Sequence, residues 1–280
     1  MSTLKAIIFL FVTTIFLILL GDLVAGHEGV YVAVIVAILT NYVAIFVSGR
    51  AALNLFHATE IRADTHPDVH AIMQALTVKA ELPLPKLYLV DTEASTLFVI
   101  GKNPNNASIA VTKGLLNSLS TEEQTAAIAQ AIAQIKLRNT FLNGVIATVA
   151  GGISGIANTG WSEVILDDKD PAEKDHFNQN VMRIVGPIAA FMIKTMISPR
   201  MQTDADSLSS EWTGHPEHLI SALQTIESLK PKAPFPIADA RPATAHLFII
   251  NPLHQKKWAH LFKTHPPTEV RIARLQKPQN

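Results

Sequence analysis

Two long stretches without charge at the start of the chain constrain its fold more than any other feature. Ala6–Gly21 and Gly29–Ser48 contain no Asp, Glu, Lys or Arg. At a helical rise of about 1.5 Å per residue, the second is long enough to cross the roughly 30 Å hydrocarbon core of a bilayer. A signal peptide is the alternative for the first, with Lys5 as its basic flank and Ala6–Leu20 as its apolar centre. A second span follows at once, and no small-residue cleavage pattern precedes His27, so the pair reads as membrane helices. Composition agrees, with 48% hydrophobic and 16% charged residues in 280.

Two weaker windows follow. Thr140–Trp161 is rich in Gly and Ala, which suits close helix packing in lipid. Ile184–Ser198 contains Pro187 and Lys194, so a buried soluble helix is its alternative. If all four windows cross, Lys5, Arg50, Lys136, Arg138 and Arg200 fall on one side. Asp22, Glu28 and the mainly acidic loop Glu163–Asp175 fall on the other. The positive-inside rule then places both termini and the soluble body in the cytoplasm. A formal net charge of zero without a basic stretch argues against nucleic-acid binding. The absence of Cys excludes disulfides and thiolate metal sites.

The soluble segments read as a mixture of helices and short strands. Pro67 starts a helix that runs to about Ala80, and Lys86–Val90 and Ala107–Thr112 read as strands. Thr121–Arg138 reads as a helix continuing towards the third window, opened by a Ser120/Glu123 capping box. Gln202–Thr213, Pro216–Leu229 and Glu269–Leu275 read as helices, and the Pro- and Ala-rich Lys230–Thr244 as a loop.

The helix after Ser120 carries Gln130-Ala131-Ile132-Ala133-Gln134. In a zinc protease, H-E-x-x-H in such a helix supplies two imidazoles one turn apart and a glutamate that activates water. By itself the segment here reads as an Ala-rich core helix. Its flanks change that reading. Leu82-Pro83-Leu84-Pro85-Lys86-Leu87-Tyr88, the run from Gly101-Lys102-Asn103-Pro104 to Ala110-Val111-Thr112-Lys113-Gly114-Leu115-Leu116, Gly186-Pro187 and Ile197-Ser198-Pro199-Arg200 resemble the HtpX family of membrane-embedded zinc metalloproteases. Ala243-Thr244-Ala245-His246-Leu247-Phe248-Ile249-Ile250-Asn251-Pro252 and Leu261–Leu275, with its Thr264-His265-Pro266-Pro267, extend the resemblance along nearly the whole chain.

The resemblance implies an α+β fold: a mainly helical integral membrane protein with about four transmembrane helices and a zincin-like cytoplasmic domain containing a small sheet. Residues 1–50 would hold two N-terminal spans, and 51–139 the first part of the zincin-like domain. Residues 140–198 would hold two more spans, and 199–280 the second part of the domain. The resemblance also implies the bacterial inner membrane, with lipid and misfolded membrane proteins or an active protease paralogue as partners.

The departures fall on the chemistry. The resemblance places the zinc ligands at Gln130, Gln134 and Gln202, the last four residues before Asp206 of the Ala205-Asp206 pair, and the general base at Ala131. Amide oxygens are neutral and weak zinc ligands, and an alanine methyl exchanges no proton. No cofactor is therefore expected, although active relatives use zinc. Asn139 stands where the family has an Asp supporting the second histidine, and Asp206 would orient a metal-bound His or else pair locally with Arg271 or Arg200. The substrate-edge segment is altered to Ser95–Gly101, with Thr96, Leu97, Phe98 and Val99 at its centre. His265 is a candidate cleft residue, with a structural hydrogen bond as its plainer role. His66/His70 and His215/His218 read as residues of solvated helix starts rather than ligands.

The expected function is that of a pseudoprotease that binds or regulates membrane-protein substrates in quality control. Its rivals are an active endopeptidase with a non-standard metal site, for example one using His265, and a membrane scaffold or adaptor for an active paralogue. Laboratory inactivation would explain the ligand changes but not Asn139 or the altered edge. A transporter is disfavoured because the spans carry no charge pair.

Overall fold

The computed structural model describes residues 2–46, 48–155, 191, 194–253 and 264–277. The acidic loop 163–175, the end of the third window and most of the fourth lie outside the described residues, as does the start of the Leu261–Leu275 motif.

Helix α1 (Ser2–Phe46) is a hairpin of two arms. In a straight helix Thr14 and Asn41, 27 positions apart, would lie about 40 Å from each other. Instead Asn41 Nδ2 donates to Thr14 Oγ1 at 3.0 Å. The reversal is made at Gly26, whose φ of +57° is the left-handed conformation glycine adopts without penalty. The arms touch most closely at Gly21, where a Cβ would collide with the Gly29 carbonyl and the Ala33 side chain. Thr3–Leu23 and Gly26–Phe46 are 21 residues each with mean hydropathy 2.6 and 2.2, long and apolar enough to cross a membrane. Phe11, Leu23, Tyr31 and Ile38 point outward, an apolar surface suited to lipid.

Helix α2 (Ser48–Leu55) leads to strand β1 (Thr59–Glu60) and helix α3 (Pro67–Ala80). Strands β2 (Lys86–Val90), β3 (Leu97–Gly101) and β4 (Ala107–Thr112) complete one sheet in the order β1-β2-β4-β3. The central β2–β4 pair is parallel, and β1 and β3 join its flanks antiparallel. Short α4 (Lys113–Ser118) precedes α5 (Thr121–Lys136), which packs with α3 over the sheet around Met73, Ile109, Val111, Ile128 and Ile132.

Helix α5 does not run on into the third window. The ladder stops at Lys136, and Arg138 takes φ +57° before α6 (Asn139–Gly155) begins. A left-handed residue breaks the i to i−4 hydrogen-bond pattern, so the two helices are separate rods. Leu142, Val145, Ile146 and Val149 of α6 pack against Phe9, Leu10 and Ala44 of the hairpin.

Beyond the undescribed region, α7 (Pro199–Thr213), α8 (Pro216–Leu229) and α10 (Thr268–Leu275) finish the body. Lys230–Thr244 is not all loop. It contains α9 (Pro236–Ala240) and enters a 3-10 turn at Pro242–Leu247, each with proline at its first position. Phe235 anchors this segment within a cluster of Phe56, Phe98 and Phe248, with ring centroids 5.1 Å apart for Phe56–Phe98 and 5.8 Å for Phe235–Phe248.

Candidate functional site

The site is built where α5 meets α7. The capping box fixes the start of α5: Ser120 Oγ accepts from the Glu123 N–H at 3.3 Å, and Glu123 accepts from the Ser120 N–H at 2.9 Å. From Ala126 to Ile135 every residue of α5 is buried, and five of them are alanines, which lets α7 approach closely.

Gln130 and Gln134 lie one turn apart on the face of α5 that meets α7. Gln202 enters between them. Its Oε1 accepts hydrogen bonds from Gln130 Nε2 at 2.8 Å and Gln134 Nε2 at 2.9 Å. Gln134 Oε1 in turn accepts from Asn139 Nδ2 at 2.8 Å, and the same Asn139 amide lies 3.4 Å from the Met201 carbonyl. The three glutamines and Asn139 are all at most 8% exposed. A cavity of about 10 Å³, lined by Gln130, Gln134, Gln202, Thr140 and Asn143, opens beside them and has room for about one water. The buried Asn143 Oδ1 has no protein partner and is the natural acceptor for it.

This arrangement does not fit zinc. The ion needs free lone pairs from anionic or imidazole ligands. Here the Gln202 oxygen is already engaged by two N–H donors, and neither carboxylate nor imidazole lines the cavity. Ala131 is fully buried in α5 and presents only a methyl group.

One turn further along α7, Asp206 is bound by Arg271 of α10 rather than by Arg200. Arg271 Nε and Nη2 each donate to a different carboxylate oxygen at 2.7 Å, and Nη1 donates to the Ile249 carbonyl at 2.6 Å. Both side chains are nearly inaccessible, at 1% and 3% exposure. This fork-to-fork geometry is the strongest form of ion pair.

His265 is not among the residues lining the amide cavity. Its Nε2 donates to the Phe248 carbonyl at 2.7 Å, the structural hydrogen bond that was its plainer role. The residue is partly exposed, yet its Nδ1 is sealed from solvent without a partner. Desolvation first, then the nearby Arg271 charge, lower its pKa to about 3, against the opposing pull of the Phe248 carbonyl. The ring is therefore neutral at pH 7.

The substrate-edge residues are closed off. Leu97, Phe98 and Val99 lie on β3, the outer strand of the sheet, and with Thr96 all are at most 4% exposed. The Thr96 carbonyl accepts from Thr112 Oγ1 at 2.8 Å. On the outer side, Ile249 N–H donates to the Leu97 carbonyl at 3.0 Å, and Phe98 pairs with Phe248. An incoming peptide would have to displace this segment. His70 Nε2 lies 3.2 Å from the Ile61 carbonyl, and His66 caps α3 without a side-chain bond.

Asn143 and His246 are the residues the sequence reading missed. His246 is 3% exposed, and its Nε2 lies 2.8 Å from the Asn143 carbonyl. The available signal for Asn143 was an amide near the start of a window rich in Gly and Ala.

Known proteins resemble the chain along its length. The sequence model of Peptidase family M48 matches residues 63–279. Protease HtpX of Legionella pneumophila (strain Lens) is 39% identical over 277 residues, covering 98% of each chain. Protease HtpX homolog of Desulfatibacillum aliphaticivorans is 34% identical over 280 residues, covering 98% of this chain and 89% of that one. A crystal structure of S. mikatae Ste24p is also similar, with a TM-score of 0.48 and 16% identity over 88% of this chain and 58% of that one.

Proposed function

The chain belongs to peptidase family M48 as an HtpX-type member, and from that premise we propose that it is a catalytically inactive membrane homologue, a pseudoprotease. The observation that carries this reading is the Gln202 oxygen shared by the Gln130 and Gln134 amides. Three side chains that the HtpX resemblance assigns to zinc converge from two helices, and they bind each other instead. Ala131, at the base position, supplies no proton acceptor. The chemistry of hydrolysis has neither its ion nor its base.

In this reading the protein crosses the bacterial inner membrane four times with the soluble body in the cytoplasm, and it acts in membrane-protein quality control. The covered β3 edge favours an adaptor or scaffold role towards an active paralogue over the holding of peptide in the old cleft. Docked peptide would need that edge free.

Metal retention tests the proposal. The detergent-purified protein should hold no zinc at the amide centre, so that any zinc it retains is unaffected by Gln202→Ala, and it should not cleave a denatured membrane-protein substrate. Gln130→His, Gln134→His and Gln202→Glu together should create retained zinc without cleavage, and adding Ala131→Glu should supply the missing base. Proteolysis by the wild-type chain, or retained zinc that disappears in Gln202→Ala, would overturn the reading.

A further inference from the structure

His215, Glu217 and His218 stand together at the start of α8, the helix that follows α7. They are the group of three or more metal-ligating side chains found among the described residues, with ligand atoms all within 4.8 Å of one another. We propose that His215, Glu217 and His218 form a surface site for a divalent transition metal of the zinc class. The proposal does not rest on how the amide centre is read.

The local sequence dictates the geometry. Pro216 occupies the first position of α8, and His215 before it takes φ −135°, ψ 70°, outside the helix. His215 makes no capping bond, so its ring is released towards the helix face. Three positions on, His218 lies beside it, and the two rings stack with centroids 4.9 Å apart and planes inclined by 23°. His215 Nδ1 is 2.7 Å from a Glu217 carboxylate oxygen. Ligands around tetrahedral zinc sit roughly 3.4 Å from one another, given metal–ligand bonds near 2.0–2.1 Å. The ligand atoms lie within 4.8 Å of one another, so binding requires the two stacked rings to turn until their in-plane lone pairs converge on the ion.

Two imidazoles and a carboxylate are the donor set preferred by zinc, nickel and copper over magnesium or calcium. A helix N-terminus opposes a bound cation, and the negative charge at Glu217 offsets that.

Calorimetric titration of the chelator-treated, detergent-solubilised full chain with Zn²⁺ tests the site. One ion should bind, and His215→Ala or His218→Ala should weaken binding by at least about tenfold, the scale on which even outer supports of a metal site act. His66→Ala and Gln202→Ala should leave it unchanged. His215→Gln/His218→Gln serves as a second pair that keeps polarity if either alanine variant folds poorly. No uptake by the wild type, or uptake that persists in the His215→Gln/His218→Gln chain, overturns the proposal. Loss of uptake only in Gln202→Ala would overturn it too and would assign the ion to the amide centre.

Discussion

Gln202 and Asp206 sit one turn apart on α7, both buried, and solve the same problem in opposite ways. At Gln202 three uncharged amides share hydrogen bonds across two helices. At Asp206 a full negative charge is matched by the Arg271 fork across to α10. A neutral network loses only hydrogen bonds when one member is removed, whereas a broken ion pair strands a charge. The two neighbours should therefore differ greatly in sensitivity, and three measurements can break or sharpen the contrast.

The largest effect belongs to the ion pair. Asp206→Ala should destabilise the protein by about 3–5 kcal/mol, because Arg271 is left charged and buried. Replacing both partners by leucine should cost far less and is often stabilising by about 1–4 kcal/mol in such pairs. Denaturant unfolding in detergent checks both, and equal losses for the single and double variants would remove the distinction drawn here.

Gln202→Ala should cost about 1–3 kcal/mol, the penalty of leaving the Gln130 and Gln134 N–H donors unmet. Gln202→Glu keeps the shared acceptor but sets a buried carboxylate against two neutral amides, so at neutral pH it should cost as much or more. If Gln202→Ala matches Asp206→Ala in cost, the amides carry more of the fold than their neutrality suggests.

The smallest effect at neutral pH, and a growing one below it, comes from His265. Its pKa near 3 lies below the ordinary imidazole value, so the unfolded chain binds more protons between the two. The stability it contributes is complete above about pH 6.5 and is lost as the pH falls towards 3. Replacing it with Gln should flatten the acid side of the stability profile. The Gln202→Ala variant should keep the wild-type slope, because no amide titrates.

Much of the fold was legible from sequence because its signals are local. Pro67 marked the start of α3, apolar alternation pointed to β2 and β4, and Ser120 with Glu123 marked the start of α5. The two arms of α1 announced themselves by length and absence of charge. What stayed hidden depends on contacts distant in sequence or on backbone choices without a marker residue. Arg138 is neither Gly nor Asn, so its left-handed turn and the break between α5 and α6 left no trace. Leu97–Ile100 is uniformly apolar because it is buried on every side, and only the structure shows Ile249 closing its edge. The meeting of Gln202 with Gln130 and Gln134 spans 72 and 68 positions. Residue patterning alone could not bring them together, and only the HtpX resemblance pointed there. Of the two partners considered for Asp206, the three-dimensional packing of α10 chose Arg271.

The shared oxygen of Gln202 also bears on how such a centre can change over time. Its two donors and its acceptor are mutually dependent, so altering Gln130 or Gln134 alone leaves an unmet group or an ill-matched shape in a closed interior. Each such step would be selected against at about 1–3 kcal/mol before any new chemistry could repay it. The amides thus act as a ratchet: a lineage that reaches this arrangement can drift around it, but leaves it one substitution at a time only at a cost in stability.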